Sequence, residues 1–64
     1  MIYKERLLIE FKQLVERMSL LSHFLRDTEN KNIDKEQLEL LERQYSIMCQ
    51  YQDILINRIL KIME

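Results

Sequence analysis

Sixty-four residues bound the chain to a single domain, and a chain this short buries little of its unfolded surface by itself. Glycine and proline are both absent and there is one cysteine, which excludes primed hairpin turns, phosphate-cradling glycine loops and an internal disulfide framework. Ten Lys and Arg nearly cancel eleven Asp and Glu, an unsuitable balance for bulk nucleic-acid binding.

The opening "MIYKERLL" is too charged, and its apolar part too short, for a secretory signal, and no apolar run approaches a membrane span. With Cys49 alone, a reducing compartment is expected, hence a cytoplasmic protein. Leu7, Phe11, Leu14, Met18, Leu21 and Leu25 then follow at spacings of 4, 3, 4, 3 and 4. That is a heptad seam, and it predicts a helix over about 3–26. His23 falls on its outer face, where a solvated imidazole is the simplest reading.

"RDTENKNI" is polar and aperiodic, which predicts a loop over about 27–33. Asp34 is placed to cap the amide of Gln37, Gln37 to reach back, and Ile33 to pack on Leu38. These signals start a second helix, predicted over about 34–62. Leu38, Leu41, Tyr45, Met48, Gln52, Leu55, Ile59 and Ile62 form its seam, with Gln52 the polar exception. A buried amide there either fixes register and oligomer state or contributes to a cavity.

A loop this short makes the helices antiparallel neighbours. The predicted fold over 1–64 is all-α, an antiparallel two-helix hairpin. The expected layers pair Leu7 with Gln52, Phe11 with Met48, Leu14 with Tyr45, Met18 with Leu41 and Leu21 with Leu38. One edge is polar and aromatic, bringing Tyr3, Glu10 and Arg17 towards Arg58, Tyr51 and Gln44. The other is apolar, with Leu8, Val15, Cys49 and Ile56; Cys49 reads there as a small hydrophobe.

A second heptad-spaced line on helix 2 holds Leu40, Ile47 and Ile54, joined by Ile56 and Leu60. Two helices cannot bury that surface between themselves, and soluble monomers seldom expose such a patch. The expectation is a homo-oligomeric helical bundle, a dimeric four-helix bundle in its simplest form. A host or phage protein covering helix 2 is the alternative.

No catalytic constellation is present: there is a single His and no Cys/His cluster for a metal. The expectation is no enzyme, no metal and no cofactor. The polar edge admits two readings. One is a set of surface contacts that fix antiparallel orientation. The other is a nucleotide cleft, in which Tyr3 and Tyr51 stack on bases. Arg58 and Lys4 would meet phosphates, with Gln44 on a base edge. An edge of two helices is too shallow to enclose a ligand, so such a cleft would deepen where hairpins meet.

"ERLLIEFKQLVERMSLLSHFL", the polar loop, and "LELLERQYSIMCQYQDILINRI" together resemble the helical-hairpin domain of a phage anti-defence family that includes anti-CBASS and anti-Thoeris signal sponges. The likeness lies in Leu40, Leu41, Gln44, Met48, Tyr51, Ile54, Leu55, Arg58 and Ile59. The resemblance implies a homo-oligomer, commonly a hexamer. It implies capture of a cyclic oligonucleotide or cyclic ADP-ribose-type signal at protomer interfaces, without cleavage. Better-known sponges carry a segment ahead of the hairpin, and Tyr3 and Lys4 are expected to replace part of it.

Overall fold

The computed structural model describes residues 3–27 and 32–64. Two helices account for nearly all of them: α1 over Tyr3–Arg26 and α2 over Lys35–Met63. They pack side by side as an antiparallel hairpin, 45 × 15 × 15 Å. Its length is that of α2 alone, since 29 residues at ~1.5 Å each reach about 44 Å. Within the predicted loop, residues 28–31 lie outside the described residues.

Each helix end is closed by a local device. Asp34, in extended conformation (φ −72°, ψ 162°), accepts a hydrogen bond at Oδ1 from the Gln37 amide at 2.8 Å. Its carbonyl accepts from the Leu38 amide at 3.1 Å. The carboxylate supplies one of the partners that the first turn of a helix lacks, and the carbonyl opens the regular helical ladder, which puts the start of α2 one residue after Asp34. At the end of α1 the Asp27 amide is shared between the carbonyls of His23 and Phe24, at 3.2 Å each. Glu5 and Glu36 lie in first turns, and His23, Arg26 and Lys61 in last turns. These signs suit the helix dipoles. The exposed His23 donates from Nδ1 to the Ser19 carbonyl at 2.8 Å.

The core lies along the predicted seam. Leu7, Leu14, Met18 and Leu55 are buried, and Phe11, Tyr45, Met48, Cys49, Ile59 and Ile62 pack around them half-buried. The register differs from the expected one. Leu7 lines a cavity with Ile59 and Ile62, seven and ten residues beyond the Gln52 expected opposite it. A slip of one heptad leaves every residue on its original face, and apolar spacing cannot detect it. On that seam Leu55 has no exposed surface at all, while Gln52 stays half-exposed. An amide buried without a partner costs about 1–3 kcal/mol, and half-exposure leaves the Gln52 amide open to water. Among the described residues, no buried side-chain nitrogen or oxygen lacks a partner.

Candidate functional site

The open end of the hairpin, where α1 begins and α2 ends, carries a different cleft on each edge. Tyr3 and Lys4 of α1 and Asn57, Arg58, Lys61 and Ile62 of α2 line an open cleft of about 550 Å³. Round the other side, Leu7, Leu8, Ile59, Ile62 and Met63 line an apolar one of about 390 Å³, reached also by Lys4. Of the residues expected on the polar edge, Tyr3 and Arg58 line the first cleft, and of those expected on the apolar edge, Leu8 lines the second.

Three cations, Lys4, Arg58 and Lys61, line the first cleft beside the exposed ring of Tyr3. Lys61 has a carboxylate neighbour, Glu64, at 3.4 Å, but both side chains are largely exposed. A pair of that kind holds little energy, so an incoming anion can take Lys61 from it. Arginine offers a planar fork and lysine a point charge, a combination matched to phosphate oxygens. The cleft is too open to enclose a ligand without another wall.

Of the five residues predicted for ligand binding, Tyr3, Lys4 and Arg58 meet here. Gln44 and Tyr51 do not. Gln44 lies fourteen residues before Arg58 on the same helix, about 21 Å away, and Tyr51 is about 10 Å away. Gln44 belongs to a separate surface cleft of about 320 Å³ with Leu40, Arg43, Ile47 and Met48. Its amide donates to Sδ of Met48, a weak contact at 3.9 Å along its own helix. Asn57 and Lys61 were not predicted. Lys61 carried a readable signal, since it follows Arg58 by three residues and therefore shares its face.

The predicted interface residues are uncovered. Leu40, Ile47 and Ile54 expose 46, 63 and 57% of their surface, and Ile56 37%. Each residue of the first three precedes one of Gln44, Tyr51 and Arg58 by four positions, which makes them face neighbours. The apolar stripe and the polar line therefore run side by side along α2. Whatever covers the stripe also forms a wall beside the polar line.

Among the described residues no group of His, Cys, Asp and Glu could hold a metal ion, and no helix is long and apolar enough to cross a membrane. No curated protein and no solved structure matches the chain. A family model described as Sequestin matches residues 1–61, which takes in both helices to within two residues of the end of α2. The chain belongs to the Sequestin family.

Proposed function

We propose that the protein is a non-enzymatic sponge: a homo-oligomer of hairpins, hexameric by the resemblance, that captures a cyclic nucleotide or cyclic ADP-ribose-type immune signal in the host cytoplasm. The family's name, Sequestin, denotes sequestration, and the resemblance to anti-CBASS and anti-Thoeris sponges supplies the class of signal. The observation that carries the reading is the convergence of Tyr3, Lys4, Arg58 and Lys61, from both helices, on one cleft. Lys4, Arg58 and Lys61 meet phosphate oxygens, and Tyr3 presents a ring on which a base stacks. Holding the signal intact is enough to deprive a host effector of its activator, and nothing in the cleft offers a nucleophile paired with a base.

Isothermal titration against a panel of cyclic di- and trinucleotides and cyclic ADP-ribose isomers tests this. Heat with one class, and recovery of that compound unchanged after the protein is denatured, is the expected result. A folded protein that gives no heat with any of them contradicts it. Arg58→Ala and Lys4→Glu should each weaken capture by about tenfold or more while leaving the mass of the assembly unchanged.

A second reading rests on the uncovered stripe. Leu40, Ile47 and Ile54 would dock on a host or phage protein, making the chain an interaction module. It predicts a stoichiometric protein partner in host lysate and a pure protein that dissociates at micromolar concentration.

A further inference from the structure

The uncovered face of α2 has a periodicity of its own. Glu36, Leu40, Arg43, Ile47, Gln50, Ile54, Asn57 and Lys61 are spaced 4, 3, 4, 3, 4, 3 and 4, so they share one face of α2, in which one of the two heptad positions is aliphatic from Leu40 to Ile54 and the other is polar throughout. Every member of this seam is exposed. Leu40, Ile47 and Ile54 alternate along it with the polar Arg43, Gln50 and Asn57, and its ends have opposite charge: Glu36 in the first turn and Lys61 in the last.

We infer that a second copy of the chain packs antiparallel on this seam, about a two-fold axis level with Met48 and Cys49. The inference deepens the proposed function, resting on its reading that copies associate. Antiparallel seams alternate their two heptad positions across each layer. In this register Leu40 faces the partner's Asn57, Arg43 faces the partner's Ile54, and Ile47 faces the partner's Gln50. Glu36 faces the partner's Lys61 at both ends, because the arrangement is isologous. Each aliphatic side chain is covered, the Arg43 stem lies on the partner's Ile54 with its head in water, and opposite charges meet. A parallel pairing of the same seam would set Glu36, Arg43 and Lys61 each against its own copy, and like charges so placed are disfavoured.

This pairing also rejoins the residues that one chain keeps apart. Gln44, Tyr51 and Arg58 flank the new seam on one side. A two-fold axis of this kind lays the polar lines of the two copies along the same edge, running in opposite directions. Gln44 then comes within two residues of level with the partner's Tyr51, about 3 Å along the axis, whereas its own Tyr51 is seven residues away. The partner's Tyr51 thus completes a subsite with Gln44 that a single hairpin lacks.

Cysteine pairing tests the geometry without any nucleotide, so the result stands whether or not a signal is bound. In a Cys49→Ser background, Leu40→Cys and Asn57→Cys are purified singly and mixed, then treated with a short bis-maleimide. The expected result is a cross-linked dimer in the mixture and none in either variant alone, since identical positions lie seventeen residues out of level, roughly 25 Å apart. Cross-linking of each variant with itself, or none in the mixture, overturns the inference. Charge reversal in the otherwise unaltered chain provides a second readout that does not depend on those cysteines. Glu36→Lys should weaken dimerisation roughly threefold to thirtyfold, two exposed pairs being lost per dimer, and adding Lys61→Glu should restore it. A double variant no tighter than the single one counts against the pairing. A chain that is monomeric throughout overturns it.

Discussion

The two apolar lines of α2, the hairpin seam from Leu38 to Ile62 and the shorter one of Leu40, Ile47 and Ile54, are built from similar aliphatic residues, yet they meet different fates. On the hairpin seam Leu55 has no exposed surface; on the second line Ile47, just over two turns earlier, keeps 63% of its surface in water. The difference comes from supply. α1 is a single helix, and its seam covers only one line of α2. Fully burying an aliphatic side chain is worth roughly 1.5–3 kcal/mol, so an uncovered line of three represents a substantial unrealised stabilisation. The hairpin is folded along one line of α2 and unfinished along the other.

The comparison breaks most visibly at its buried pole. Leu55→Ala should lower stability by about 2–5 kcal/mol, enough to abolish the cooperative thermal transition of so small a chain when followed by circular dichroism. At the exposed pole, Ile47→Glu leaves the hairpin seam untouched but should dissolve the assembly, read as a fall in mass by sedimentation. If Ile47→Glu left the mass unchanged, the second line would not be an interface. Arg58→Ala removes a charge-assisted contact worth about 1.5–3 kcal/mol, so signal affinity should drop roughly tenfold to a hundredfold by titration calorimetry, with the mass unchanged.

Smaller effects sharpen the contrast between the ends of α2. Asp34→Ala deletes the carboxylate that receives the Gln37 amide and should destabilise by about 1 kcal/mol. Asp34→Asn, which keeps an accepting oxygen, should recover most of that in the same melt. Glu64→Gln removes the exposed partner of Lys61. It should shift stability by no more than about 0.5 kcal/mol, and a larger loss would mean that the C-terminal turn depends on that pair.

The elements were legible in the sequence because each has a local cause. Heptad spacing defines both seams, the Asp34 cap starts α2, and a polar stretch without periodicity separates the helices. Register was not legible, because a heptad slip moves Leu7 from Gln52 to Ile59 without moving any residue to another face. The candidate site was legible in part. Tyr3, Lys4 and Arg58 share one edge and one end, which heptad position and antiparallel pairing both convey. Gln44 and Tyr51 share that edge but not that end. A heptad line records direction around a helix and says nothing of the ~10 Å that separates successive members along it.

Sedimentation equilibrium of the unaltered protein, over a concentration range from low micromolar upward, tests the central claim most directly. An unfinished hairpin should give a mass at least twice 8.0 kDa, with helical content that falls as the assembly dilutes. A fully helical particle of 8.0 kDa at every concentration would contradict the account.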